Sequence, residues 1–442
     1  MPSFGHIIQH LRSLRIRSSK ALAASPLVRR TSGQHIRRIQ IPAADLSLVL
    51  AKFTEGFKGL PQEIVNEILE YLEDDLRTLK ACSLTCKALL CSARHTIHRR
   101  LYVVGPGKAA TPDERETRQY EAANRAELRT LSVAAKCGLA HYTRELTIKV
   151  GEEFTPQTLQ PYLPQFQMFA RLTSLTLYHF NPTPFLPVFN QYFGHLAQQI
   201  RSLKFIHPGG PQDDMTYFIS QFPNLDDLGF NPLPRHNLRH SRKYTVSSIR
   251  SSPTLRGTLK VTSSTNAWGT NFLESLIQLP SGLRFRSIEF HCIGINPDII
   301  IRECTSTLQS LTHVFRTYDP LLRFDLSACS HLRIFELRAE FTIHVFRDFV
   351  LWLISVINTI TSPLFSRFVF VDDNPSSQCP FFRRADGDSV WRPLDQALLR
   401  LSQRTGMKMI GRRKVSHAAF CNSIEEAFPL MVSVGALELE SL

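Results

Sequence analysis

Residues 172–205 read LTSLTLYHFNPTPFLPVFNQYFGHLAQQIRSLKF, and the fold turns on how this stretch is parsed. It opens on Leu172, Leu175 and Leu177 in the spacing L-x-x-L-x-L and closes on the same figure in Ile200, Leu203 and Phe205. Between them Phe185, Val188, Phe189, Tyr192, Phe193, Leu196 and Ile200 step by three and four, which lines them along one side of a helix. Alternating apolar residues over a few positions make a strand with one buried face. The parse is therefore strand, helical segment, strand.

One such triplet carries no weight, because at 43% apolar residues about 0.08 of positions, or about 35 in the chain, match by chance. The distance between copies carries the signal. Further copies stand at Leu225/Leu228/Phe230, Phe285/Ile288/Phe290, Leu332/Phe335/Leu337 and Phe365/Phe368/Phe370, with partial ones at Leu146/Ile148 and Leu259/Val261. The middle positions 146, 175, 203, 228, 259 and 288 are 29, 28, 25, 31 and 29 residues apart. Leucine-rich repeats run at roughly 20 to 29. Helical spacing fills the gaps again at Met215, Phe218, Ile219 and Phe222, and Asn296-Pro297 starts a helix through Ile300, Ile301, Cys304 and Leu308. After 288 the spacing loosens, and the Asn or Cys ladder position of regular repeats is mostly missing. The expected fold over residues 141–442 is an irregular leucine-rich-repeat-like α/β solenoid; an α/β domain without repeats is the alternative.

In such strands the residues just before, between and after the last two apolar positions face away from the core. These are Ser174, Thr176 and Tyr178; Ser202, Lys204 and Ile206; Asp227, Gly229 and Asn231; Ser287, Glu289 and His291; and Ile334, Glu336 and Arg338. Adjacent strands would join them into one mixed-polarity patch. Tyr178, Lys204, Glu289, His291, Glu336 and Arg338 are the candidates for holding a protein target, with Tyr178 and Arg338 first, since aromatic and Arg side chains anchor interfaces.

Upstream, a helical pattern begins at Leu60. Pro61 suits a first turn, where its missing N–H costs nothing, and Gln62 and Glu63 face the positive helix end. Ile64, Ile68, Leu69 and Leu72 share one face. Asp74 and Asp75 offer caps to a second helix holding Leu76, Leu79, Ala81, Cys82 and Leu84. A third segment from Lys87 holds Leu89, Leu90 and Ile97 and ends in His98, Arg99 and Arg100, cations at a helix C-terminus. A unit this small buries too little area to stand alone, so a partner or the adjoining domain should cover it. Thr111 with Pro112, Asp113 and Glu114 reads as a helix start, and a linking helix is expected across 103–140.

The run Leu60-Pro61-Gln62-Glu63-Ile64, then Ile68, Leu69, Tyr71, Leu72, Asp75, Leu76, Leu79 and Cys82-Ser83-Leu84-Thr85-Cys86-Lys87, resembles the F-box. It departs from the pattern at Leu89, where many members carry an aromatic residue. The resemblance implies an α+β multidomain chain: a three-helix F-box over 55–102 that packs on a Skp-type adaptor and through it a cullin, followed by the solenoid. It places Leu60, Pro61, Ile64, Ile68, Leu69, Leu72, Leu76, Leu79, Cys86 and Leu89 at the adaptor. The layout is similar to F-box families expanded in mushroom-forming fungi. It implies the substrate-recognition subunit of an SCF-type ubiquitin ligase, a non-catalytic receptor without cofactor; a non-ligase protein-binding scaffold, imported into mitochondria or not, is the rival.

At 442 residues the chain exceeds what one core usually supports. Its net charge of +14 is concentrated in the acid-free residues 1–44, with seven Arg and one Lys; the remaining 44 basic and 38 acidic residues leave +6. No basic stripe with interleaved aromatics is visible in the sequence of the body, so no nucleic-acid partner is expected. Residues 1–50 read either as a disordered basic arm or as a transit peptide, from the Ile7, Ile8, Leu11, Leu14 stripe beside its arginines. The longest apolar run, Phe349 to Ile357, is too short to span a bilayer. The nine cysteines have no repeating spacing and no signal peptide precedes them, which suits reduced thiols in the cytoplasm or nucleus.

Cys82, Cys86, Cys91, His95 and His98 contain no C-x2-C pair and lie on helices, so no zinc site is expected. Gly105-Pro106-Gly107-Lys108 is a turn, since Tyr102 replaces the first Gly of a phosphate loop and Ala109 the hydroxyl. The Asp213-Asp214, Asp226-Asp227 and Asp372-Asp373 pairs read as solvated caps rather than acid–base dyads. No catalytic residue is assigned.

Overall fold

The computed structural model describes residues 62–73, 75–85, 87–104, 125–127, 138–149, 156–160, 163–231, 249, 252–263, 267–292, 297–316, 324–340, 346–372, 391–413 and 417–441. The arm over 1–50, Leu60, Pro61 and Cys86 lie outside these. Three helices come first: α1 (Gln62–Glu70), α2 (Leu76–Thr85) and α3 (Lys87–His98). Asp75 caps α2, its carboxylate accepting the Thr78 N–H at 3.0 Å and the Thr78 hydroxyl at 2.7 Å. Val65, Ile68, Leu69, Leu79, Cys82, Leu89 and Ala93 are buried in this unit.

Everything after α3 is organised by one sheet of 13 strands with every pairing parallel. Its strands are β1 (Arg100–Val104), β2 (Arg125–Glu127), β3 (Glu145–Lys149), β4 (Ser174–Tyr178), β5 (Ser202–Ile206), β6 (Asp227–Asn231), β7 (Thr258–Ser263), β8 (Ser287–Cys292), β9 (Ser310–Arg316), β10 (Ile334–Glu340), β11 (Arg367–Asp372), β12 (Lys408–Arg413) and β13 (Leu437–Ser441). From β3 to β13 each strand neighbours the next in sequence; only β2 departs, lying outside β1 at one edge. The sheet is open, ending at β2 and β13.

The middle apolar residue of every unit falls in register with the next. Leu101 pairs with Leu146, then follow Leu175, Leu203, Leu228, Leu259, Ile288, Leu311, Phe335, Phe368, Met409 and Leu437. A second ladder runs along the lead-in to the strands. The carbonyl of Arg99 accepts the N–H groups of Arg144 and Glu145, that of Arg144 those of Thr173 and Ser174, and that of Thr173 those of Arg201 and Ser202. The same figure recurs from Gly257 to Arg286 and Ser287, from Arg286 to Gln309 and Ser310, and from Gln309 to Arg333 and Ile334. Each unit thus satisfies its backbone polar groups through its neighbour, so no unit is stable alone and the array is stabilised collectively.

Two expectations are corrected. Residues 125–127, inside the expected linking helix, form β2, and the sheet begins at Arg100 rather than near 141, inside the span assigned to the helical module. From β3 onward the described helices between the strands pack on the inward row of the sheet. Short ones follow β3 and β4: α4 (Pro156–Leu159), α5 (Leu163–Phe166), α6 (Phe189–Tyr192) and α7 (Gly194–Ala197). Longer ones come later: α8 (Gln212–Ser220), α9 (Ala267–Ile277), α10 (Asp298–Glu303), α11 (Phe346–Thr359), α12 (Arg392–Thr405), α13 (His417–Ala427) and α14 (Pro429–Ser433). Where the helices are single turns, phenylalanines fill the space: Phe218 sits 5.1 to 5.4 Å from the rings of Phe180, Phe189, Phe193 and Phe222. No helix among the described residues is long and apolar enough to cross a membrane.

Candidate protein-interaction surfaces

Two surfaces are built by this arrangement. On the helical unit, Ile68, Leu69, Leu79 and Leu89, all expected at a partner interface, are instead buried within the chain, at 7% exposure or less. They hold the three helices together and cannot themselves meet a partner. Ile64, Leu72 and Leu76 are half-buried. Among the described residues of this unit, the large apolar groups left in water are Tyr71 and Leu84, at 80% and 87% exposure. Tyr71 follows α1 and Leu84 ends the exposed side of α2; both stand in the sequence motif, but a face drawn from periodicity does not single them out.

This unit is tied firmly to the sheet. Arg99 pairs with Glu70 at 3.6 Å and with Glu145 at 3.5 Å, and Arg100 with Glu73 and Glu145 at 3.1 Å each. The pairs are partly exposed, so each contributes little energy, but together they join the end of α1 to β1 and β3. The Thr143 hydroxyl donates to the His98 carbonyl at 3.2 Å, and the His95 and Tyr142 rings meet edge to face.

The second surface is the sheet face opposite the helices. Register places Tyr178, Lys204, Glu289, His291, Glu336 and Arg338 all on it. They do not form one cluster. Around β8, the Glu289 carboxylate accepts from Lys260 Nζ at 2.7 Å and lies 2.5 Å from His291 Nε2. The His291 hydrogen bond, then the one from Lys260, holds the Glu289 carboxyl down at about 2 against the opposing effect of burial. Lys204 joins this group by lying across Gly229, where a Cβ would stand 2.8 Å from Lys204 Cγ. Burial, then the Lys260 charge, lowers the Lys204 pKa, with Glu289 opposing.

Two strands further on, Arg338 Nε meets Glu336 at 2.5 Å, and Arg412 bridges Glu336 at 4.0 Å and Glu440 at 2.7 Å. Thr312 and Val314 of β9 separate the two charged groups. Tyr178 belongs to neither; its ring packs edge to face on Tyr102 at 6.3 Å. Lys260 and Arg412 were not foreseen, since Lys260 sits in a partial repeat and the β12 figure is Met409 and Gly411 without a leucine. His179 and His207 were also missed. Each ends a strand in the left-handed region, at φ 50 and 53, and their rings stand 5.1 Å apart.

Two buried thiols are held protonated by their environment: burial pushes Cys304 up to about 12 and Cys329 up to about 11. Among the described residues no three His, Cys, Asp or Glu side chains gather as metal ligands. Compared with known proteins, the chain matches no protein-family model, and no curated protein is similar to it in sequence.

Proposed function

We propose that the chain is a receptor subunit of an SCF-type ubiquitin ligase, with α1 to α3 as an F-box that docks a Skp-type adaptor and the sheet as a leucine-rich-repeat-like solenoid that holds the target. The observation that carries the reading is a three-helix unit bearing the F-box residue pattern that keeps Tyr71 and Leu84 in water while Ile64, Leu72 and Leu76 are half covered. Exposed large apolar side chains on so small a unit suit a helix-packing partner. The receptor performs no bond chemistry. It raises the local concentration of a target lysine near the conjugating enzyme, and the Arg99 and Arg100 pairs serve this by fixing the distance between docking unit and target platform.

The test is affinity purification of the tagged chain from cells with adaptor and cullin as readouts. Tyr71→Asp with Leu84→Asp is expected to lower recovery of both about thirtyfold or more, since each apolar group buried at an interface contributes about 1.5 to 3 kcal/mol. Equal recovery by the wild type and the variant would sink the reading. Tyr178→Ala with Arg338→Ala should leave adaptor recovery unchanged and reduce other associated proteins, as read by comparative mass spectrometry.

A further inference from the structure

The arginines of the body are scattered among acids in the sequence, yet the fold collects them. The lead-in ladder sets the residues that precede successive strands side by side, so the N-terminal ends of the strands form a continuous edge. From β7 to β11 that edge carries Arg256, Arg284, Arg286, Arg333 and Arg367, all exposed, and none has an ion-pair partner among the described residues. The described residues between them on the same edge are Gly257, Thr258, Ser287, Gln309, Ser310, Ile334 and Ser366, with His331 exposed three residues before β10 as Arg284 is before β8; none of them is acidic. Acids resume only at its limits, and there they are occupied. Asp226 pairs with Arg201 at 3.5 Å, Asp227 accepts the Thr258 N–H at 2.6 Å, and Glu438 is bonded by Lys408.

We propose that this edge is a binding ridge for an extended, acidic protein segment. Strands lie about 4.8 Å apart, so β7 to β11 spans roughly 19 Å, the reach of about six extended residues. Guanidinium groups present planar forks that take carboxylates or phosphates two bonds at a time, and the Thr, Ser and Gln side chains between them suit a peptide backbone. Among the described residues the edge offers one exposed ring, His331, whereas single-stranded nucleic acid is held by several rings on which successive bases stack. The choice of a protein occupant rests on the receptor reading; it would make acidity, or phosphorylation, the property of the target that the ridge selects.

Fluorescence anisotropy with the purified full chain tests this without adaptor, so its outcome is independent of the adaptor experiment. The probes are a labelled glutamate homopeptide, a glutamine homopeptide of equal length, a phosphoserine-containing acidic peptide, single-stranded RNA and duplex DNA. The glutamate and phosphoserine peptides should bind and the glutamine peptide should not. Arg286→Glu/Arg333→Glu/Arg367→Glu should weaken binding about tenfold or more with an unchanged melting transition. The corresponding Lys triple variant should retain most of it. If charge reversal disturbs folding, the milder Arg256→Gln/Arg333→Gln variant serves, with a several-fold loss expected. Equal binding of the glutamate and glutamine peptides, indifference to charge reversal, or tighter binding of either nucleic acid would overturn the proposal.

Discussion

His313 occupies on β9 the inward position held by Phe290 on β8 and Leu337 on β10. Its ring is buried against Phe315, Phe324 and Trp352, and Nδ1 has no hydrogen-bond partner. Burial, with a smaller effect from His291, lowers its pKa from the ordinary 6.5 to about 4. The unfolded chain therefore binds a proton more readily than the folded one between these values. Stability is fully present above pH 6.5 and is lost as pH falls through the window from 6.5 to about 4, by an amount on the order of 2 to 3 kcal/mol. His313→Leu should remove that acid sensitivity and raise the melting temperature at pH 5 more than at pH 8, as followed by circular dichroism; an equal shift at both would show that the ring is not held neutral. The same residue explains a blind spot in the sequence. Leu308, Leu311 and His313 keep the repeat spacing but break its apolar figure, so the apolar pattern does not mark the unit 23 residues after Ile288 and 24 before Phe335. A polar side chain in a leucine's place is invisible to a rule that counts apolar residues.

Among the elements, the last two strands show how the pattern fades while the geometry persists. Gly411 stands between Phe370 and Leu439 in the inward row, where a side chain would lie 2.7 Å from Ile424 of α13 and 3.0 Å from Leu439. Helix α13 packs closely because that position is empty, so the absent leucine is itself a packing feature. Nearby, Asp395 of α12 is buried and accepts the Leu430 and Met431 N–H groups at 2.8 and 3.2 Å, capping α14 from another helix. Burial raises its pKa against the effect of these two bonds. A cap supplied 35 residues away follows no local motif, whereas Asp75, three residues before Thr78, was legible as one. Asp395→Ala strands two N–H groups and is expected to cost about 1 to 2 kcal/mol, measurable by urea unfolding. Asp395→Asn, which keeps one acceptor, should cost less. Equal losses would mean that the cavity and not the cap sets the cost.

Across the whole molecule, spacing between apolar triplets was sufficient to read the register from Leu146 to Ile288, because a unit that buries its face only by stacking must repeat it. The residues on the outer face were also legible, since strand alternation fixes their side. Their grouping was not. Which charges meet across strands depends on strand neighbours, which is why Lys204 joins Glu289 through Lys260 and Arg412 reaches Glu336, while Arg338 meets Glu336 within one strand. The arginine edge was hidden for the same reason: residues 23 to 34 positions apart become neighbours only once the sheet exists. On the helical unit, periodicity gave the faces, but burial divides them into residues that hold the helices together and residues left exposed, Tyr71 and Leu84 among them.

The docking claim is tested most directly by calorimetric titration of the purified full chain with a purified Skp-type adaptor. The account predicts saturable one-to-one binding with a Kd of about 1 μM or tighter, weakened about thirtyfold or more by Tyr71→Asp with Leu84→Asp. Absence of binding at about 100 μM adaptor, with the chain folded as judged by its melting transition, would contradict it.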